Sequence, residues 1–200
     1  MEIAIVLFEG FDELDAIGPY EVFGNAARAG ADCATTLRTI DETGLVEASH
    51  GLRIEPDGRV ADADPDLLLV PGGGWNDREG PGAWAEAERG AIPDVIAELS
   101  DAGSTIAGVC TGGMLLARAG ILDGRPAVTH ASALDDLDAA GVDVQDARVV
   151  DDGDVLTAGG VTSGLDLAFH VVEREFGSEI AEIVGTEMEY TPLEQGRKIP

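Results

Sequence analysis

Residues 104–118 read S-T-I-A-G-V-C-T-G-G-M-L-L-A-R, a strand followed by a tight turn and a helix. The run Thr105–Val109 has the length and β-branched content of a buried parallel strand, and good helix formers follow the turn. Cys110 is therefore predicted to lie on a sharp strand-to-helix turn of the kind called a nucleophile elbow. Gly108 and Gly112 provide the small side chains that such a turn requires.

The predicted position of Cys110 favours a reactive thiol. A thiol at a helix N-terminus lies at the positive end of the helix dipole, which stabilises the thiolate and is expected to lower the thiol pKa. A buried structural cysteine is the alternative interpretation. The glycine-flanked turn directly after a strand favours the reactive thiol.

Length and composition indicate a single domain that spans residues 1–200. The chain has 200 residues, of which 44% are hydrophobic, and strand and helix signals follow one another without a linker. The apolar run at residues 1–8 lacks a basic n-region and is too short to span a bilayer. We expect a soluble, cytoplasmic protein with no membrane partner. Two cysteines, Cys33 and Cys110, make no disulfide framework, which is consistent with a reducing compartment.

The net charge argues against nucleic-acid partners and indicates a saline environment. The chain has 39 acidic and 12 basic residues, only one of which, Lys198, is lysine, and its formal charge is −27. This charge should repel nucleic acid, so no nucleic-acid partner is expected. The acids are spread over the whole chain, and together with the near-absence of lysine they predict a halophilic surface rather than an ordinary acidic one.

Alternating strand and helix signals predict an α/β fold, a three-layer α/β/α sandwich with a mostly parallel central sheet. In such sandwiches the site lies at the carboxyl ends of the strands. The predicted strands are residues 2–7, 33–40, 66–70, 105–109, 127–130, 148–150 and 155–157, with a small hairpin at 45–48 and 52–55. The predicted helices are residues 19–29, 91–102, a helix after Cys110, 133–140 and a long helix that ends at Phe176.

The start of the first helix is assigned from Pro19, which is suited to the first turn of a helix. The acids Asp12, Glu13 and Asp15 are then expected to precede the helix. Near the end of the chain, Thr162 or Ser163 is expected to cap the long helix.

Two further segments provide candidate site residues. A triple glycine at residues 72–74 follows a strongly apolar strand, and its backbone N–H groups can turn towards a ligand or an oxyanion. A flexible loop is the alternative interpretation of this segment. His130 is predicted at the carboxyl end of its strand, where it either lines the site or is simply a packed residue.

Four motifs together resemble the ThiJ/PfpI superfamily, which has a flavodoxin-like fold of the class I glutamine amidotransferase type. They are L-D-A-I-G-P at residues 14–19, V-P-G-G at 70–73, A-G-V-C-T-G at 107–112 and G-G-V-T-S-G-L-D at 159–166. Their order and spacing match over nearly the whole chain. A threonine after the cysteine and an aspartate in an L-D-x-x-G-P motif are most similar to the isocyanide (isonitrile) hydratase branch.

The resemblance implies an enzyme of the hydratase or lyase type that converts R–NC and water to an N-substituted formamide without a cofactor. It implies that Cys110 is the nucleophile, that Asp15 is its acid/base partner and that Thr111 shapes the pocket. It also implies a small-molecule substrate and a homodimer, which is common in similar families. The candidates for oxyanion or substrate binding are Gly72, Gly73, Gly112, His130 and Thr162.

Other functions remain open from the sequence. The same site could act on an α-oxoaldehyde, in the manner of a glyoxalase or deglycase. Cys110 could be a redox sensor that oxidises to a sulfinic acid, or the motif could belong to a binding module without turnover. A peptidase is disfavoured because Thr111 stands where peptidases of the superfamily have histidine. His50, His130 and His170 show no ligand spacing, so no metal is predicted.

The charge pattern makes a prediction about salt. In about 1 M salt the Debye length falls to about 3 Å, so repulsion among the dispersed acids is screened. The melting temperature should therefore rise from dilute buffer to molar KCl. Thermal melts over a series of KCl concentrations measure this, and a flat or falling melting temperature would show that the surface is not halophilic.

Overall fold

The computed structural model describes residues 1–41, 44–193 and 197–198. The strands in these ranges are β1 (Glu2–Val6), β2 (Ala34–Thr39), β3 (Val46–Glu47), β4 (Arg53–Ile54), β5 (Gly58–Arg59), β6 (Leu67–Val70), β7 (Thr105–Val109), β8 (Pro126–Ala127), β9 (Asp143–Val144), β10 (Val149–Asp151), β11 (Val155–Ala158) and β12 (Arg197–Lys198). The α-helices in the same ranges are α1 (Glu13–Arg28), α2 (Ala83–Arg89), α3 (Ala91–Ala102), α4 (Gly112–Arg118), α5 (Leu134–Ala139), α6 (Ser163–Phe176) and α7 (Ser178–Glu187).

The main sheet has the order β12-β10-β11-β7-β6-β1-β2-β5. All neighbouring strands are parallel except β10 and β11, which form an antiparallel hairpin. The predicted α/β sandwich with a mostly parallel sheet is confirmed. Because β1, β6, β7 and β11 are adjacent and parallel, the segments that follow them meet at one edge of the sheet.

The burial of β1, β6 and β7 is consistent with their position at the centre of the sheet. The β6 residues Leu67, Leu68 and Leu69 are fully buried, as are Ile5 on β1 and Ile106 on β7. A strand that is apolar on both faces is typical of a parallel sheet covered by helices on both sides. This burial fixes the register of the strands and thus the height at which each following loop begins.

The first helix begins earlier than Pro19 indicates. Helix α1 starts at Glu13, and the Asp12 side chain caps it by accepting a hydrogen bond from Leu14 N–H at 3.2 Å. Pro19 lies inside the helix, where it has no N–H to donate to the Asp15 carbonyl oxygen four residues earlier. The predicted start at Pro19 is wrong because the aspartate cap determines the first turn. Glu13 and Asp15 therefore belong to the helix.

The strand predicted at residues 127–130 is also wrong in extent. Strand β8 ends at Ala127 and pairs with β9 in a separate two-stranded sheet. Beyond it, Val128 N–H donates to the Thr157 hydroxyl at 2.9 Å, and the Thr129 hydroxyl donates to the Cys110 carbonyl oxygen at 2.7 Å. Side chains, not a strand ladder, hold this segment against the main sheet.

Other predicted elements agree with the structure. Helix α3 has the predicted bounds, and the hairpin of β3 and β4 forms as predicted, as does the hairpin of β10 and β11. Helices α2 and α7 have no counterpart among the predicted elements. No helix in the described part of the chain is both long and apolar enough to cross a membrane.

The segments after β6 and β7 approach each other so closely that only glycine fits. A Cβ atom on Gly112 would lie 2.1 Å from the Val70 carbonyl oxygen, and one on Gly72 would lie 2.4 Å from the Thr111 nitrogen. Real Cβ contacts essentially never fall below 3.0 Å. The turn at Cys110 is therefore fixed against the loop after β6 by backbone contact.

This contact generates a prediction about stability. Gly112→Ala should lower the free energy of unfolding by about 3 kcal/mol or more, because the new methyl group meets rigid backbone. Gly24 lies within α1, and a Cβ atom added there would have no neighbour within 4 Å, so Gly24→Ala should raise the free energy of unfolding by roughly 0.5–1 kcal/mol. Denaturant titration of both variants in molar KCl is the measurement. Equal effects of the two substitutions would contradict this packing argument.

Candidate active site

Cys110 follows β7 and has a φ of 56°, a left-handed conformation that is uncommon for a residue other than glycine. Its N–H donates to the carbonyl oxygens of Ala158 and Gly159, at 3.1 and 2.9 Å, at the end of β11. Helix α4 begins at Gly112, so the predicted strand-to-helix turn is confirmed. The cysteine is 6% exposed. Strained backbone held by neighbouring structure is common at reactive sites.

Asp15 lies in the first turn of α1 and is fully buried. Its Oδ2 atom accepts a hydrogen bond from Gly72 N–H at 2.9 Å. Its Oδ1 atom is also buried and has no hydrogen-bond partner among the described residues. The structure thus brings Asp15 to the edge of the sheet where Cys110 lies, as the resemblance implies. A buried carboxyl oxygen without a partner is costly, which makes it a candidate functional group.

Asp15 and Cys110 change each other's pKa. Burial, and then the charge of Asp12, raise the pKa of Asp15 from 3.8 to about 7. The hydrogen bond from Gly72 and the interaction with the Cys110 thiol act in the opposite direction. The carboxyl therefore exchanges its proton near neutral pH, which is the range that suits a general acid or base.

The pKa of the Cys110 thiol is raised, first by burial and then by the negative charge of Asp15. The expected lowering of this pKa is wrong. A helix terminus contributes at most about 2 kcal/mol, which corresponds to less than two pH units. Burial can change a pKa by about three to five pH units, so it outweighs the helix dipole. Cys110 therefore needs a base to accept its proton during a reaction.

The triple-glycine segment at residues 72–74 is attached to the site by two hydrogen bonds that its backbone N–H groups donate. Gly72 N–H binds Asp15, and Gly73 N–H donates to the Thr111 hydroxyl oxygen at 2.9 Å. Both N–H groups predicted to meet an oxyanion thus already have acceptors within the protein. Thr111 is 4% exposed, and its backbone N–H interacts with the Cys110 sulfur. Thr111 therefore connects the cysteine turn with the loop after β6.

His130 lies three residues beyond the end of β8 and is half-buried. Its Nδ1 atom accepts a hydrogen bond from Ser132 N–H at 3.1 Å and lies 2.8 Å from the Ser132 hydroxyl oxygen. The Asn76 side chain in turn donates to that hydroxyl oxygen at 2.8 Å. Because Nδ1 is an acceptor, the proton of the neutral ring is on Nε2. A Cβ atom on Gly160 would meet the His130 ring at 3.3 Å, so the ring packs beside the loop after β11.

Thr129 also holds Cys110 in place, and no sequence pattern predicts this contact. The Thr129 hydroxyl is buried and donates to the Cys110 carbonyl oxygen at 2.7 Å. This contact spans 19 residues of sequence and follows no local motif. Ser132 and Asn76 cannot be predicted from the sequence either, because no local motif links them to His130.

Thr162 does not have the predicted capping role. Thr162 occupies the N-cap position of α6, but its side chain forms no capping hydrogen bond and is exposed. Its hydroxyl oxygen accepts a hydrogen bond from Arg148 at 3.3 Å. Arg148 also binds the buried Asp166 at 2.7 Å, and Tyr190 O–H donates to the other oxygen of Asp166 at 3.0 Å. These contacts anchor the segment after α7 and do not involve the cysteine.

A polar cluster adjoins the site at the start of α1. Glu13 accepts hydrogen bonds from His50 N–H at 2.7 Å and from the Ser49 hydroxyl at 3.1 Å, and its Oε2 lies 2.6 Å from His50 Nδ1. Ligand-type atoms of Asp12, Glu13 and His50 all lie within 4.8 Å of one another. Histidine spacing alone could not predict this group, because 37 residues separate Glu13 from His50.

Cys33 differs from Cys110 in position, exposure and hydrogen-bond partner, although burial raises the pKa of both thiols. It precedes β2 instead of lying within a strand, and it is half-buried. Its thiol donates to the Phe23 carbonyl oxygen at 3.8 Å, and burial raises its pKa. The charge of Asp32 raises the Cys33 pKa further, but no hydrogen bond from Cys33 to a carboxyl group is found in the described part of the chain.

The raised pKa of Asp15 makes a prediction about stability and pH. The folded state binds the Asp15 proton more tightly than the unfolded state does, so the fold loses stability as pH rises from about 4 to about 7. Asn cannot ionise, so Asp15→Asn should be more stable than the parent at pH 8 by a few kcal/mol, at most about 4. The difference should shrink as the pH is lowered to 5. Denaturant melts at each pH, in molar KCl, measure it, and a difference independent of pH would refute the raised pKa.

Comparison with known proteins gives a consistent assignment. A protein named isonitrile hydratase from Pseudomonas putida is 32% identical over 193 residues, which cover 96% of this chain and 79% of that protein. A deglycase from Pyrococcus abyssi is 27% identical over 156 residues, which cover 76% of this chain and 86% of that protein.

A solved structure has a similar fold. A crystal structure of a ThiJ/PfpI family protein from Pseudomonas syringae superposes with a TM-score of 0.84 and 28% sequence identity. The superposition covers 97% of this chain and 76% of that chain. The sequence profile of the DJ-1/PfpI family matches residues 1–174. The protein whose strands bring Cys110 and Asp15 together is therefore a member of the DJ-1/PfpI family.

Proposed function

We propose that this protein is an enzyme that uses Cys110 to add water to a small electrophilic carbon, with an isocyanide as substrate. One observation carries the proposal. A buried carboxyl group whose pKa is about 7, Asp15, interacts with a buried thiol whose pKa is raised. Such a pair can exchange one proton at neutral pH, which is what nucleophilic attack by a neutral thiol requires.

In the first proposed step the Cys110 sulfur attacks the terminal carbon of R–N≡C. Asp15 accepts the thiol proton as the S–C bond forms and then delivers it to the same carbon. The product is the thioimidate R–N=CH–S attached to the enzyme, and no proton is gained or lost overall. The unpartnered Oδ1 atom of Asp15 is the natural carrier, because Oδ2 is held by Gly72 N–H.

In the second proposed step water adds across the C=N bond. Asp15 takes a proton from the attacking water and delivers it to the nitrogen, which gives R–NH–CH(OH)–S attached to the enzyme. Asp15 then takes the hydroxyl proton as the C=O bond forms and the C–S bond breaks, and it returns that proton to the Cys110 sulfur. The product is R–NH–CHO, an N-substituted formamide. The sum is one isocyanide and one water consumed for each formamide formed.

The low exposure of Cys110, together with the Asp15 carboxyl group beside it, supports an enzyme over a redox sensor. Oxidants attack the thiolate, so sensor cysteines have low pKa values and accessible sulfur atoms. Cys110 is buried and its pKa is raised. An α-oxoaldehyde is the alternative electrophile, because a deglycase is among the relatives of this chain.

The test is a kinetic comparison of single variants in molar KCl. The purified protein should hydrate an alkyl isocyanide with saturation, and Asp15→Asn should reduce kcat by about 100-fold or more because Asn cannot transfer a proton. Cys110→Ala should abolish turnover. Asp123→Asn removes a charge from an exposed turn and is the matched control, with turnover close to that of the parent.

Three results would contradict the proposal. Unchanged turnover in Asp15→Asn would remove its acid/base role. Turnover of methylglyoxal but not of isocyanides would replace the substrate. Absence of turnover with either, combined with clean oxidation of Cys110 to a sulfinic acid, would favour the sensor.

A further inference from the structure

The loop after β6 begins beside the sulfur of Cys110. The thiol interacts with the Asp15 carboxyl group and with the Thr111 N–H. Both of these partners lie against Gly72. Its N–H donates to Asp15 at 2.9 Å, and a Cβ atom on Gly72 would lie 2.4 Å from the Thr111 nitrogen. The path of the loop beyond Gly72 therefore bears on what can reach the sulfur.

The rest of this loop, residues 74–82, has its two ends held together. Ala83 N–H donates to the Gly73 carbonyl oxygen at 2.7 Å. Gly74 and Gly82 have φ values of 68° and 139°, which favour glycine. A compact loop with closed ends is an Ω-loop. Because its ends are fixed, contacts made by the side chains near its tip decide where the tip lies.

Three side chains of the loop contact the segment that follows β8. Trp75 Nε1–H donates to Asp136 Oδ2 at 2.7 Å, and the Asn76 side chain donates to the Ser132 hydroxyl oxygen at 2.8 Å. The Arg78 guanidinium group lies 3.6 Å from the same oxygen of Asp136. We call this set of five residues the latch: Trp75, Asn76, Arg78, Ser132 and Asp136.

The latch spans the end of the strand that carries Cys110. Strand β7 lies between β6 and β11 in the sheet. The loop begins after β6, whereas the segment after β8 is attached to β11 by the hydrogen bond from Val128 N–H to the Thr157 hydroxyl, at 2.9 Å. The Thr129 hydroxyl of the same segment donates to the Cys110 carbonyl oxygen at 2.7 Å. The latch therefore connects the two neighbours of β7 and completes a ring of contacts around the cysteine turn.

The latch is the part of this ring that can open at low cost. The side chains of Arg78 and Asp136 are 54% and 43% exposed, and exposed ion pairs contribute little to stability. The contacts of Gly72 and Gly112 with the cysteine turn are instead close contacts between backbone atoms. Local opening uses the contacts that cost least to break.

We propose that the latch controls access to Cys110, so that it admits small electrophiles when closed and bulky ones only after it opens. The Cys110 residue is 6% exposed, so a large reagent must displace a neighbouring segment. The inference goes beyond the proposed function, because it concerns the size of the electrophile and holds for any reaction at this sulfur.

The first measurement compares two uncharged reagents with the same reactive group, iodoacetamide and N-benzyliodoacetamide. Their rates with Cys110 are measured in Cys33→Ser, in molar KCl, and each is divided by the rate with N-acetylcysteine. These relative rates correct for the intrinsic reactivity of each reagent. The benzyl reagent should be disfavoured at Cys110 by about tenfold or more.

Substitutions of Asp136 in the same background test the latch. Asp136→Ala removes the acceptor for Trp75 and the partner of Arg78, so the rate with the benzyl reagent should rise about fivefold and the discrimination should fall. Asp136→Asn keeps an oxygen that can accept the Trp75 hydrogen bond and should retain most of the discrimination. Asp135→Ala changes the exposed neighbour in the same first turn of α5 and is the matched control, with discrimination unchanged.

Two features of the design separate a latch from a general loss of stability. A variant that only destabilises the fold raises both rates by the same factor, because an unfolded chain admits either reagent. Trp75→Phe removes the N–H donor but keeps an aromatic ring, and it should also reduce the discrimination. Combining Trp75→Phe with Asp136→Ala should add little to either single effect, because both remove the same hydrogen bond.

The outcomes decide the inference without turnover. Equal relative rates of the two reagents at Cys110 would overturn it, and so would equal discrimination in Asp136→Ala and Asp135→Ala. If Asp136→Ala does not fold, Trp75→Phe supplies the comparison, and unchanged discrimination there would also overturn it. If no isocyanide is hydrated but the discrimination behaves as expected, the proposed reaction fails and the latch stands.

Discussion

The Asp15 carboxyl group is held next to Cys110 by a hydrogen bond from Gly72 N–H, and this contact joins three parts of the fold. Asp15 comes from the helix after β1, Gly72 from the loop after β6 and Cys110 from the turn after β7. The hydrogen bond between Asp15 and Gly72 requires the helix and the loop to lie in direct contact, beside the turn that carries Cys110. The glycines at positions 72 and 112 make this possible, because a Cβ at either would overlap backbone.

The features that make this site reactive also lower the stability of the fold. Burial of an ionisable carboxyl group costs free energy at neutral pH, and the unpartnered Oδ1 atom adds to that cost. The left-handed backbone at Cys110 is a second strained feature at the same place. Stability elsewhere must offset both, and the apolar strands β1, β6 and β7 supply it through complete burial. Sites where local rules are broken and the surroundings compensate are typical of function.

Much of the fold is predictable from the sequence, because each correct element has a local cause. The strand before Cys110 and the glycines after it are adjacent in sequence, so the turn can be predicted without the structure. The first helix is misplaced when the proline signal is preferred to the cap provided by Asp12. The thiol pKa is predicted with the wrong sign because local reasoning includes the helix dipole but not burial or Asp15. Contacts such as Thr129 to Cys110 depend on tertiary packing and leave no local pattern.

The central claim is that Cys110 is a neutral thiol at rest and that Asp15 titrates near neutral pH beside it. Infrared spectroscopy of the Cys33→Ser protein, titrated from pH 5 to 9 in molar KCl, measures both groups at once. The expected result is an S–H band that persists throughout, together with a protonated carboxyl band that disappears around pH 7 and is missing in Asp15→Asn. An S–H band that is absent at pH 7, with Asp15 ionised at pH 5, would contradict it.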